Sequence, residues 1–149
     1  MIEMSTQQQQ RAEELVDTFE FLDDWESRYE YLIEIGRKLP PMPAEEHSDE
    51  NLVRGCQSQV WVTARAVDDD LQGRVIRIDA DSNSAITKGI VGILHQVYSG
   101  EKPKDILQFD IDGLMAKLGL DQHLSPARRN GLAGMVARIK TLAALNAEG

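Results

Sequence analysis

Apolar positions along this chain change their period several times, and each change marks a new element. Between Gln7 and Phe21, Leu15, Val16 and Phe19, followed by Leu22, recur at near-helical spacing and predict a first helix. Asp23-Asp24-Trp25-Glu26 restarts the pattern, and Asp23 with Glu26 three residues on resembles a capping box. Trp25, Tyr29, Leu32, Ile33 and Gly36 then line one face of a second helix. Pro40, Pro41 and Pro43 end it and force an extended segment. Glu45 to Glu50 reads as an acidic, solvated loop.

At Val60 the period drops to two. Val60, Val62, Ala64 and Ala66 alternate with Trp61, Thr63 and Arg65, which predicts a strand. Asp68-Asp69-Asp70 and Gly73 form a turn, and Val75 to Ala80 is a second strand with Ile76, Ile78 and Ala80 on one side. So short a connection joins antiparallel neighbours.

From Ser84 to Tyr98 the helical period returns, closed by Gly100, with Ile86, Ile90, Ile93, Leu94 and Val97 on the apolar side. Gly89 and Gly92 inside that helix cost about 1 kcal/mol each against alanine, which suggests close packing on another element. Pro103 to Leu107 and Ile111 to Leu118 read as short helices, the second stopped by Gly119. Ser125-Pro126 starts a last helix that runs to Leu145, with Leu132, Met135, Val136, Ile139 and Leu142 as core positions. Nothing repeats and no linker divides the chain. The expectation is an α+β fold, a small antiparallel sheet covered by helices, in one domain over residues 1–149 with residues 1–6 disordered.

Composition adds exclusions. A chain of 149 residues is long enough to bury about two-thirds of its unfolded surface. No apolar run approaches the roughly 20 residues of a membrane span, and Met1 to Gln10 is polar rather than signal-like. A cytoplasmic location is the expectation. The formal net charge of −9 argues against binding nucleic acid or an anionic membrane, and favours a partner with a basic patch.

The candidate chemistry is concentrated in Arg54-Gly55-Cys56-Gln57-Ser58-Gln59-Val60-Trp61, which holds the one cysteine of the chain. Gly55 supplies backbone freedom, and Gln57, Ser58 and Gln59 supply uncharged hydrogen-bonding groups. A lone thiol is thereby set on a polar turn at the start of a strand. Three chemistries could use it. Cys–His catalysis would need His47, His95 or His123, and His95 sits in an apolar helix where packing is the commoner role. A metal or cluster site would need more ligands, about four cysteines for iron–sulfur and four ligands for structural zinc. Sulfur relay needs a single thiolate and no metal. A free cysteine can also be simply a small buried hydrophobe, and the residues alone leave these readings open.

The same octapeptide resembles the signature of the SufE-like proteins, the SufE and CsdE group of sulfur acceptors in iron–sulfur cluster assembly. Leu39-Pro40-Pro41-Met42-Pro43, Asp81-Ser82-Asn83-Ser84-Ala85-Ile86 with Lys88-Gly89, Asp105-Ile106-Leu107 with Phe109-Asp110, and His123-Leu124-Ser125-Pro126 with Arg128 and Gly131-Leu132 carry the likeness over roughly residues 20–145. The resemblance implies a fold shared with IscU-type scaffolds and a persulfide accepted on Cys56. It implies a pyridoxal-phosphate desulfurase of the SufS type as donor and a SufBCD-type scaffold as recipient, with no cofactor or metal on this chain. Gly55, Gln57, Ser58, Gln59 and Arg128 would shape the loop or meet the partner, with Arg129 a weaker candidate. The chain would be a carrier and activator rather than an independent enzyme; the alternative is a regulatory module that docks on a desulfurase without carrying sulfur. Asn83 departs from the family, which often has an acid there, and is left out of the expected site.

Overall fold

A computed structural model describes residues 6–56 and 58–147. Of the segment expected to be disordered, residues 1–5 lie outside the described residues, and Thr6 already opens the first helix, α1 (Thr6–Phe21). α1 buries Leu15 and Phe19, together with Gln8. The Gln8 amide donates from Nε2 to the Val97 carbonyl at 2.8 Å, so its donor nitrogen is paired where no water reaches.

The second helix, α2 (Trp25–Arg37), is capped by Asp24 and not by Asp23. Asp24 Oδ1 accepts the Ser27 amide at 2.7 Å, and that hydrogen bond holds its carboxyl below the usual carboxylate value. The expected box is shifted by one residue because Ser27, not Glu26, lies three residues past the cap. The buried face also differs from expectation. Leu32, Ile35 and Gly36 are buried, whereas Ile33 is only half-covered.

The acidic segment is not simply a solvated loop. It forms two 3-10 turns, Ala44–Glu46 and Asp49–Asn51, joined by half-buried His47 and Ser48. We call this stretch the strap, since it lies between α2 and the cysteine loop.

Two strands follow, β1 (Val60–Asp69) and β2 (Gly73–Ser82), antiparallel in the register Val60↔Ser82 to Asp69↔Gly73. Both run longer than the alternation indicates, because pairing continues past the last apolar residue on each side. A two-stranded hairpin is marginal alone. Here both edges are occupied. On the β2 side, Ile76 donates to the Glu101 carbonyl at 2.9 Å and accepts from Gly100 at 2.7 Å. On the β1 side, Leu52 pairs with Trp61, Val53 donates to the Val60 carbonyl at 2.7 Å, and Arg138 Nε donates to the Val62 carbonyl at 2.8 Å.

α3 (Ala85–Tyr98), capped by Ser84, is the central element and contacts α1, α2, β2 and the last helix. Its two glycines answer the question of what they pack on. A Cβ on Gly92 would stand 2.6 Å from Ile35 Cγ2, and one on Gly89 would overlap the Leu32 carbonyl, so the close neighbour is α2.

Three short helices, α4 (Pro103–Gln108), α5 (Ile111–Leu118) and α6 (Leu120–His123), lead to α7 (Pro126–Asn146). α7 packs along β1 and buries Gly131, Met135, Val136, Ile139 and Ala143; Leu132 and Leu142 are half-covered. Among the described residues no helix is long and apolar enough to cross a membrane.

Candidate functional site

The chain between Val53 and Val60 is a small loop closed at its base by the Val53–Val60 hydrogen bond. Val53 is buried and anchors one end; Val60, fully buried, anchors the other. Gly55, at φ +87°, turns the chain at the tip, and nothing would stand within 4 Å of a Cβ placed there. The loop tip is therefore in open space, while the next residue turns its side chain inward.

Cys56 is half-buried against α7. Its thiol donates to the Gly131 carbonyl, with sulfur and oxygen 3.6 Å apart. Helix and loop come this close because α7 lacks side chains at two positions. A Cβ on Gly131 would sit 3.1 Å from Cys56 Sγ, and one on Gly134 would sit 3.0 Å from the Arg54 carbonyl oxygen. Behind the sulfur lies a cavity of about 10 Å³, lined by Ser58, Thr87, Ile90, Ala127, Arg128 and Met135.

Burial pushes the Cys56 thiol above its ordinary value. The Gly131 carbonyl acts in the same direction, because an acceptor oxygen stabilises S–H and not S⁻. In this pose the sulfur is a sheltered, protonated thiol. Arg128, half-buried on the first turns of α7, is the cation that lines its pocket.

The far side of the loop is fixed by Asn83, just past β2. Gln59 N donates to Asn83 Oδ1 at 3.0 Å, Asn83 N donates to the Gln59 carbonyl at 3.2 Å, and Asn83 Nδ2 donates to Gln59 Oε1 at 3.2 Å. Thr87 donates from its hydroxyl to Ser58 Oγ at 3.4 Å. Gln59 is therefore a tether, and Ser58 is both tether and pocket wall. Gln57 lies outside the described residues. Arg129 points elsewhere: it is exposed and donates to the Asp121 carbonyl at 3.4 Å.

None of the histidines lines the Cys56 pocket. His47 contacts Asp81 at 2.8 Å, and His123 stacks on Trp25 with ring centroids 3.6 Å apart. His95 is covered enough that desolvation lowers its pKa. Among the described residues, no group of three or more His, Cys, Asp or Glu side chains is placed to hold a metal ion.

Three contributors lie outside the site residues expected from the sequence. Gly131 carried a signal, since a glycine inside a long helix is destabilising unless something must approach closely. Thr87 carried none, because a threonine in a helix's first turn is ordinary. Asn83 departs from the family acid at this position, yet its contribution is three hydrogen bonds to Gln59 that need no charge.

Comparison with known proteins gives a consistent picture. The family model for SufE, the Fe-S metabolism associated domain, matches residues 13–143. An uncharacterized SufE-like protein of Rhizobium meliloti is 40% identical over 129 residues, which is 87% of this chain and 91% of that one. A second such protein, from Rhizobium etli, is 39% identical over 135 residues, 91% of this chain and 90% of that one. In fold, the chain resembles the solution structure of a hypothetical protein from Thermus thermophilus, with a TM-score of 0.75, 22% identity, and coverage of 93% of this chain and 97% of that one.

Proposed function

We propose, because this chain belongs to the SufE family, that Cys56 accepts sulfur from the persulfide of a SufS-type cysteine desulfurase and carries it onward. The observation that supports this best is the placement of the one thiol of the chain. It sits one residue past a loop tip surrounded by open space, yet is tucked against a pocket wall that contains an arginine. A core cysteine would have no need of such a tip, and a hydrolase would set a base beside the sulfur.

The reaction is an exchange at sulfur. The Cys56 thiolate attacks the outer sulfur of the donor's persulfide, and a new S–S bond forms as the old one breaks. The donor cysteine leaves as a thiolate. The transferred sulfur keeps its proton, or loses it to water, as a persulfide on Cys56. No net oxidant is consumed. The resting thiol is protonated and half-covered, so it must first leave the Gly131 carbonyl and ionise; Gly55 is the joint about which the tip can turn.

In this reading Arg128, which lines the pocket, stabilises the persulfide anion or meets the partner. Ser58 and Gln59 act through the loop's shape. In this reading the chain uses no cofactor or metal of its own, and the pyridoxal phosphate belongs to the desulfurase. Removing the donor's persulfide raises that enzyme's turnover, and the sulfur passes to a SufBCD-type scaffold in the cytoplasm.

Intact-mass measurement after mixing the protein with a SufS-type desulfurase and free cysteine tests the reading. Cys56 should gain one or more sulfur atoms, lost again on reduction, and Cys56→Ser should gain none and should no longer stimulate the desulfurase. Stimulation that survives Cys56→Ser would instead make the chain a regulator that carries no sulfur.

A further inference from the structure

We propose that His47 is a positioning residue for Cys56: while charged, it ties the strap to Asp81 and so holds the base of the cysteine loop, and it loosens that base when it gives up its proton. The inference rests on the reading that Cys56 is the working thiol, and it adds a residue and a pH response to that reading.

The geometry begins at the Asp81 carboxylate, one residue before the end of β2. Asp81 Oδ2 faces His47 Nε2 at 2.8 Å, and Asp81 Oδ1 accepts from Lys88 Nζ at 3.2 Å and from the Ser82 amide at 2.8 Å. One side chain thus joins the strap, the end of β2 and the first turn of α3. Each of these three leads to the cysteine loop or to its base. The strap runs into Leu52, which pairs with Trp61 just below the Val53–Val60 hydrogen bond that closes the loop. Asn83, two residues past Asp81, tethers Gln59. Thr87, beside Lys88, bonds Ser58.

His47 makes a second polar contact that bears on its protonation. Its Nδ1 lies 3.1 Å from the Pro43 carbonyl, and its ring meets Trp61 edge-on with centroids 4.8 Å apart. Both ring nitrogens therefore face acceptors. A neutral imidazole has one N–H and can serve only one of them; the imidazolium has two and serves both. Loss of the proton must break either the bond within the strap or the bond to Asp81.

The surrounding charges agree. Asp81 on β2 is the anion facing His47, and Lys88 on α3 competes for the same carboxylate; Trp61 on β1 is neutral. The hydrogen bond to Asp81 raises the His47 pKa above its ordinary 6.5, against an opposing effect of desolvation. Next to it on the strap, Glu46 faces Asp79, beside Arg65, and desolvation first, then Asp79, holds its carboxyl above the usual value. The sign follows from linkage. A raised histidine pKa gives stabilisation that is complete below the ordinary value and is lost as pH rises through the raised one. The loop base should be tightest in mild acid and slacken toward alkaline pH.

The test needs no desulfurase, so it can fail while sulfur transfer stands, and sulfur transfer can fail while it stands. Alkylation of Cys56 by iodoacetamide is timed in the full chain and in His47→Gln, whose amide can still reach Asp81 but does not titrate. Taking the ratio of the two rates at each pH cancels the thiol's own ionisation. The wild-type to variant ratio should rise about two- to fivefold between about pH 6 and about pH 8.5, the range expected of a partly exposed charged contact. A ratio that stays flat overturns the proposal. A second measurement uses the unaltered protein. Hydrogen exchange at the Val53 and Asn83 amides, corrected for intrinsic rates, should lose protection through the same pH interval in which the His47 imidazole resonances titrate. Protection that is constant across that interval overturns it equally.

Discussion

Cys56 is held in the form that does not react. Its thiol is desolvated and faces a carbonyl oxygen, so the folded protein binds the proton more tightly than the unfolded chain does. Stability from this group is complete below the ordinary thiol value of 9.0 and is lost as pH rises through the raised one. The difference in unfolding free energy between the wild type and Cys56→Ser should therefore shift against the wild type above about pH 9. An unchanged difference would mean that the thiol is as well solvated in the folded state as in the unfolded one. Gly131 gives a second handle. Alanine there adds a methyl 3.1 Å from Sγ, and the sulfur, on a short side chain in a loop, can yield outward. The helix gains about 1 kcal/mol from losing a glycine, which offsets much of the crowding. Gly131→Ala should thus leave the melting temperature nearly unchanged while Cys56 reacts severalfold faster with a disulfide reagent. At this scale the sequence was informative about the loop and silent about its seat. Gly55 and Cys56 stand where the octapeptide puts them, and Arg128 lines the pocket while Arg129 does not. The opposing wall comes from α3 and α7, about 30 and 75 residues further on, and no local pattern announces a contact of that span.

The elements are locked by close helix contact rather than by bulk. α2 and α3 meet through Gly36, Gly89 and Gly92, and a Cβ on Gly36 would stand 2.9 Å from the Gly89 amide nitrogen. Here the obstacles are backbone atoms and branched side chains, which cannot step aside. Gly89→Ala should lower stability by about 2 kcal/mol or more, since the overlap with the Leu32 carbonyl outweighs the roughly 1 kcal/mol gained in helix propensity. Chemical denaturation would show it, and a stabilised variant would mean that α2 and α3 are less tightly apposed. Element type was legible wherever the apolar period was long: α1, α2, α3, α7 and both strands follow it. What escaped was decided by side chains acting on backbone. Asp24 and not Asp23 is the cap because of where Ser27 falls, Ile35 and not Ile33 is buried because α3 lies on that flank, and the strap reads as a solvated loop because the partner of His47, Asp81 on β2, lies 34 residues away.

As a whole the molecule is strongly acidic, with Glu45, Asp49 and Glu50 exposed on the strap and Asp68 and Asp70 exposed at the hairpin end. If docking on a desulfurase is steered by these groups, association should slow as salt rises toward and beyond about 0.15 M while dissociation changes little. Rates of association that ignore salt would assign the acidity to solubility alone. The pocket behind Cys56 has a different kind of consequence. Its volume of about 10 Å³ is at the lower limit for a single water, and a sulfur atom is larger than a water oxygen. If Cys56 carries a second sulfur as proposed, that atom does not fit in the space the empty loop leaves behind the thiol, and the loop must sit differently to hold it there. On that reading the displaced loop would work as a flag: empty and laden molecules would present different outlines, and a donor and a recipient could each recognise the one they need by shape.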